Sequence, residues 1–319
     1  MSGGRDIARQ SQIGQHTRPC RQVGTTIDYS ALASLLANRA FADVTCPECG
    51  PSRRDPANRK RKVLRLWRLS DRAISYCCAR CGISGYAVEN ANRGSLSPAE
   101  RAEMQRRFTE AKARDDAARE RRRLIARDLW RQSIDARHTW AETYLRMRGI
   151  DLPAEDYPRR RTFRFHPHCP RPDLPAGPAM LVAFEPILPD DPFLDAPVAA
   201  IHRIWGRGHR KAMLGAVGGC AVKITPDERV LSRLSICEGV ETGLKMFERG
   251  TPIWALGSAG AIEAFPVIPR VRELTIFADN DASGRGLDAA KRCAGRWREA
   301  GKSVCIFMKP TEGSDYGEA

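Results

Sequence analysis

Two short motifs, Cys46-Pro-Glu-Cys49 and Cys78-Ala-Arg-Cys81, constrain this 319-residue chain more than any other feature of its sequence. Each pair can aim two thiolates at one ion from a tight turn, and a glycine follows each (Gly50, Gly82). Two such pairs complete the closed tetrahedral sulfur set of a structural zinc site, the arrangement of a zinc ribbon. Cys77 could stand in for Cys78, but only through a C-x-x-x-C pair. Cys46, Cys49, Cys78 and Cys81 are therefore the expected ligands of one structural Zn²⁺ per chain. The 28 residues between Cys49 and Cys78 require an inserted β-hairpin. The chain has 11 cysteines, no signal-peptide core at its start and no long apolar run. That combination points to a cytoplasmic protein, not bound to a membrane, whose thiols hold metal or pack inside.

The inserted segment is intensely basic: Arg53, Arg54, Arg59, Lys60, Arg61, Lys62, Arg65, Arg68 and Arg72 face only Asp55 and Asp71. Trp67 and Tyr76 lie among these charges. Aromatic rings between phosphate-binding cations suit a single-stranded nucleic acid, whose bases can stack. The alternative is a solvated hairpin with Trp67 as its core residue. Charge over the whole chain sharpens the contrast. The net charge is +15, from 53 basic and 38 acidic residues, yet from Leu231 onward there are 12 of each. The whole excess lies before Leu231, as expected of a polyanion-binding half joined to a neutral one.

That neutral third has the clearest element pattern. Leu234–Cys237, Pro252–Leu256, Leu274–Ala278 and Ser303–Met308 read as short apolar strands, with helical stretches near 240–249, 259–265 and 284–300. Strand alternating with helix predicts an α/β fold with a parallel sheet covered on both faces, whose sites form at the carboxyl ends of the strands. Glu238 ends the first strand, and Asp279 and Asp281 end the third. If those strands are neighbours, the three acids converge, and such a cluster calls for a cation; oxygen ligands favour Mg²⁺ or Mn²⁺. Gly239, Gly243, Gly284 and Gly286 would let backbone approach a phosphate there. Taken singly, Asp-Asn-Asp-Ala-Ser-Gly is also good turn chemistry.

These residues carry a resemblance. Glu238-Gly-Val-Glu241-Thr-Gly-Leu-Lys, Trp254-Ala-Leu-Gly-Ser, Phe277-Ala-Asp279-Asn-Asp281-Ala-Ser-Gly, Lys309-Pro and Asp315-Tyr-Gly-Glu318 resemble the Toprim domain of bacterial-type primases, topoisomerases and certain nucleases. The nearest subgroup is the primase-like proteins of phages, plasmids and mobile elements, which also carry an N-terminal zinc ribbon and a middle lobe. The resemblance implies metal binding by Glu238, Asp279, Asp281 and Asp315, with Glu238 metal-linked or an acid/base. Gly317 departs from the family's usual D-x-N-D. Ile201-His-Arg203 and Arg210-Lys211-Ala-Met-Leu214 resemble the basic strand and later lysine of the primase nucleotidyl-transfer lobe, which places Arg203 and Lys211 beside template and triphosphate. The function so implied is a DNA primase-like nucleotidyltransferase that makes short primers on a single-stranded DNA template from nucleoside triphosphates, with a possible helicase partner in trans. A Toprim nuclease and a non-catalytic nucleic-acid-binding protein of a mobile element are the alternatives.

The expected organisation is a lead-in over 1–27, a zinc-ribbon module over 28–92, a helical connector over 97–150, a mixed α/β middle lobe over 151–230 and the Toprim region over 231–319. Capping signals at Ser97-Pro98-Ala99-Glu100 and at Thr139 with Glu142 open the connector's two helices. Its arginines, Arg119 to Arg123, either touch nucleic acid or form a solvated face. Gly301-Lys302-Ser303 is no P-loop, since Arg296 stands where that motif needs glycine and the triplet follows a helix. His166-Pro-His168-Cys169 reads as a loop, since no second ligand pair follows it.

Overall fold

The computed structural model describes residues 27–51, 59–81, 83–89, 98–152, 162–172, 174–188, 198–206, 211–280 and 284–308. Arg53, Arg54, Asp281 and Asp315 lie outside the described residues, as do Glu318, the capping Ser97 and all but the last residue of the lead-in. The chain forms two compact units, residues 1–111 and 112–319. Among the described residues no helix is long and apolar enough to cross a membrane.

In the first unit, helix α1 (Tyr29–Leu36) starts at Asp28, whose carboxylate accepts from the Ser30 amide at 2.8 Å. A four-stranded antiparallel sheet follows in sequence order: β1 (Phe41–Thr45), β2 (Lys62–Ser70), β3 (Ala73–Cys78) and β4 (Ser84–Val88). The expected hairpin is β2 and β3, joined through Asp71 and Arg72. Period-two alternation turns Ala42, Val44, Leu64, Leu66, Ile74 and Tyr76 to one face, where they form a core with Leu32 and Leu36.

Helix α2 (Pro98–Gln132) is charged along its length, with Glu120 paired to Arg123 at 2.7 Å. Its last turns place Ala126 and Leu129 in a core with Leu181, Ile201 and Trp205. That core covers one face of a six-stranded antiparallel sheet. Five of its strands run in order as β5 (Ile134–Asp135), β6 (Phe163–Arg171), β7 (Leu174–Pro186), β8 (Ala200–Trp205) and β9 (Lys211–Gly215), and β10 (Cys220–Ala221) pairs with β7. His166, His168 and Cys169 lie within β6, so the loop expected there is a strand. Helix α3 (Trp140–Arg146) is capped by Thr139, and its Tyr144 and Leu145 pack on the other sheet face.

The C-terminal elements follow the sequence expectation closely. Strands β11 (Arg233–Cys237), β12 (Ile253–Ala255), β13 (Glu273–Ala278) and β14 (Ser303–Met308) form a parallel sheet of order β12-β11-β13-β14. Helices α4 (Val240–Glu248), α5 (Ala259–Glu263) and α6 (Arg285–Glu299) connect them. One face packs on α5 and α6 through Ile236, Leu274, Ile276, Ala290 and Trp297, with Phe265 stacked on Trp297 at 5.8 Å. The opposite face continues into the antiparallel sheet: Cys237, Leu244, Ile253 and Ala255 share one core with Met180, Val182, Phe184 and Ile204. Val222 and Ala255 add a two-way backbone bridge, at 2.8 and 3.0 Å.

Candidate functional site

The four cysteines of the paired motifs meet. Cys46 Sγ lies 3.9 Å from Cys81 Sγ and Cys49 Sγ 3.8 Å from Cys78 Sγ, and all four sulfurs lie within 4.8 Å of one another. A tetrahedron with Zn–S bonds of about 2.3 Å has edges of about 3.8 Å, so the donor set fits zinc in both chemistry and spacing. Cys77 alternates to the other face of β3 and is not in this group. Burial pushes the Cys49 thiol up to about 11, with the charges of Cys78 and Cys46 adding to it. Burial also raises Cys78, but amide hydrogen bonds from Cys81 and Arg80 outweigh it and leave that thiol below its ordinary value. A metal would therefore displace protons from buried thiols on binding.

The sheet face away from α1 carries a row of rings. Phe41, Trp67, Ser75 and Tyr86 stand opposite one another across β1 to β4 and so share one face. Phe41 and Tyr86 are 57% and 54% exposed, unusual for large apolar rings on a strand. Of the basic residues expected to bind there, Arg59, Lys60, Arg61, Lys62 and Arg72 are exposed. Arg65 makes a two-pronged ion pair with Asp43, at 2.7 and 2.8 Å. Arg68 turns to the helix side, where its guanidinium donates to the Ala37 carbonyl at the end of α1. Sequence reasoning singled out Trp67 and missed Phe41 and Tyr86, which only register aligns with it.

At the C-terminal edge of the parallel sheet, β11 and β13 are adjacent and in register, Cys237 opposite Phe277. Glu238 and Asp279 thus leave neighbouring strands at the same edge. Burial pushes the Cys237 thiol well above its ordinary value, and Asp279, Glu238 and Glu241 push it the same way, in that order. Three carboxylates therefore bear on one buried sulfur. Among the described residues only the four cysteines bring three or more metal-ligating atoms within 4.8 Å of one another. Glu238 and Asp279 are hard oxygen donors suited to Mg²⁺ or Mn²⁺, and Asp281 and Asp315 would complete their set from outside the described residues.

Helix α4 brings Glu241, one turn after Glu238, into the core at 6% exposure. Its Oε1 accepts from the Tyr144 hydroxyl of α3 at 3.1 Å and from Lys211 Nζ of β9 at 2.5 Å. Burial raises this carboxyl, but the charge and hydrogen bond of Lys211, helped by Tyr144, more than offset it and hold it below its ordinary 4.5. His202 shares the sheet face with Lys211, being opposite Met213 on the neighbouring strand. Burial, then the Lys211 charge, lowers His202 to about 4, so it is neutral at neutral pH. Met213 itself presses on Gly257, whose φ is +77° and whose added Cβ would lie 2.6 Å from Met213 Cε. The Gly257 amide donates to the Glu238 carbonyl at 2.9 Å, so the Met213 side chain of β9 lies against backbone bonded to the acidic edge.

Arg203 and two of the glycines have surroundings that the motifs did not foretell. Arg203 is next to His202 in a strand and so faces the other way, against the α2 side. Its guanidinium donates to the Pro170 carbonyl at 3.0 Å and covers the Trp205 ring at 5.1 Å, away from the carboxylates. The space at two glycines is filled by the chain itself. A Cβ on Gly243 would lie 2.4 Å from Ile224 Cδ1, and one on Gly286 would lie 2.5 Å from the Asp279 carbonyl oxygen.

Residues 233–318 match the family model of the Toprim domain. Residues 120–224 match a family described as a domain of unknown function (DUF7146). No curated protein matches the chain. The Toprim match supports membership of the C-terminal region in a superfamily of primases, topoisomerases and nucleases that act on nucleic acids through metal-dependent chemistry.

Proposed function

We propose that this protein is a DNA primase-like nucleotidyltransferase that grips a single-stranded template with its N-terminal sheet and joins nucleotides at the edge of its parallel sheet. The observation that carries this reading is that Glu238 and Asp279 leave the adjacent strands β11 and β13 at the same edge, with the Lys211 ammonium paired to Glu241 in the first turn of the helix that follows Glu238. Divalent metal bound by those acids would neutralise triphosphate charge and favour the attacking hydroxylate. The protein's own part is positioning. Adjacent parallel strands fix the two carboxylates, Lys211 offers a cation to a phosphate oxygen, and the shared core holds Lys211 and both acids in one body. Phosphoryl transfer draws most of its rate from such positioning and electrostatics.

The first unit supports the template half of the reading. A ring row of Phe41, Trp67 and Tyr86 offers faces on which unpaired bases stack, and the exposed cations at 59–62 meet the backbone. Zinc held by Cys46, Cys49, Cys78 and Cys81 would fix that sheet. Incubation with single-stranded DNA, ribonucleoside triphosphates and Mg²⁺ or Mn²⁺ should yield short oligomers, and Glu238→Gln should abolish them. Lack of product with either metal overturns the reading, and cleavage of DNA without added nucleotides would identify a nuclease instead.

A further inference from the structure

Glu241 sits in the Glu238-Gly-Val-Glu241 motif, three residues from a proposed metal ligand, and invites assignment as a further ligand. Its surroundings say otherwise. The carboxylate is buried, and one oxygen already accepts from two donors, Lys211 Nζ at 2.5 Å and Tyr144 Oη at 3.1 Å. Both donors come from the region before β11, one from the first helix packed on the shared core and one from strand β9. Lys211 keeps 35% of its side chain exposed while Glu241 keeps 8%. The pair is thus anchored at its carboxylate end and open at its ammonium end.

We propose that Glu241 is a positioning residue: it holds the Lys211 ammonium at the carboxylate edge so that the amine receives an anionic phosphate oxygen of a nucleoside triphosphate, and it does not bind the metal. This deepens the proposed function and rests on it. The physical reason is the flexibility of lysine. A four-carbon stem loses much rotamer freedom when it binds a ligand, and a buried counter-charge removes that freedom beforehand. Two nearby groups shape the same place without replacing this role. His202 is neutral and adds no charge, and Met213 of the strand that carries Lys211 lies against Gly257.

The test separates metal from nucleotide. Mn²⁺ affinity is measured by titration calorimetry on the full chain, followed by ATP affinity in the presence of Mn²⁺. Glu241→Gln is expected to leave Mn²⁺ affinity within about twofold and to weaken ATP about tenfold, the size of one well-placed charged contact. Lys211→Met should do the same, and the double variant should be no worse than either single one, because the two act as a unit. Tyr144→Phe removes the second donor without touching Lys211 and should change ATP affinity less than about twofold. A Glu241→Gln loss of Mn²⁺ as large as that of Asp279→Asn would make Glu241 a ligand and overturn the proposal. Additive losses in the double variant, or an equal ATP loss in Tyr144→Phe, would overturn it as well. If the unaltered protein bound neither Mn²⁺ nor ATP, the functional reading and this one would fall together; any of the other adverse results sinks this one alone.

Discussion

His202 and Glu241 face the same cation, Lys211, and respond to acid in separate windows. His202 is held near 4 when folded, below its ordinary 6.5, so the unfolded chain takes up the proton first as pH falls. Its contribution to stability is complete above 6.5 and is lost as pH drops from there toward 4. Between pH 7 and pH 5 that loss is about 2 kcal/mol. Glu241, with its carboxyl held below 4.5, keeps its contribution through that interval and surrenders it only at lower pH. Urea unfolding at pH 7 and pH 5 should show the drop, and His202→Gln should shrink it; an unchanged difference in the variant would contradict the burial argument. The adjacent Arg203 shows the limit of sequence reading at this scale. Strand β8 is buried on both faces, so its residues carry no polar and apolar alternation, and nothing in Ile201-His-Arg203 tells which cation faces the acids. Glu241 gave only a faint signal, a second glutamate in the helix's first turn.

At the scale of elements, the C-terminal strands and helices were legible because apolar runs of four to six residues alternate with glycine-marked turns, as in β13 and the turn before α6. Of strand β6 only the start was legible, as the β-prone run Thr162–Phe165. Pro167 and Pro170 break its pattern, and the strand accommodates them where its register with β7 shifts between His166, Cys169 and Arg171. Beyond the short pairing of β5 with Arg164 and Phe165, that stretch of β6 has no second neighbour among the described residues, so there the missing amide donors leave no ladder bond unmade. The first turn of α6 carries a second glycine, Gly286. Gly286 lies so close to the Asp279 backbone that a methyl group must move one of them. Gly286→Ala should cost about 1–3 kcal/mol and also displace the Asp279 carboxylate. Metal affinity should therefore fall more than the melting temperature suggests. Normal Mn²⁺ binding in a destabilised Gly286→Ala protein would show that the contact serves packing alone.

For the whole molecule, the paired cysteine spacing foretold a sulfur cluster with tetrahedral edges, because two short turns leave little freedom in how four thiols can meet. What spacing could not give was the ring row, which exists only once β1 to β4 are in register. Residues 27–89 contain one small core around Leu32, Leu64 and Tyr76, too small to hold the sheet firmly unaided. Chelation should release about one zinc per chain, unfold this unit and abolish single-stranded DNA binding, while the cooperative melting of residues 112–319 persists. Mass spectrometry of bound metal with circular dichroism checks this, and Cys46→Ser should reproduce it. Retained DNA binding after zinc loss would move the template grip elsewhere.

The core shared by Val182, Phe184 and Ile204 with Leu244, Ile253 and Ala255 bears on how such a chain can be recombined. A cut near Leu231 would bare apolar surface on both products, and it would part Lys211 from Glu241. Exchange of the region that holds the parallel sheet can then succeed only as a block that begins no later than the final turns of α2, whose Ala126 and Leu129 belong to the same body. The residues that carry the four cysteines have their own core around Leu32 and Leu64, so they form a second block for exchange.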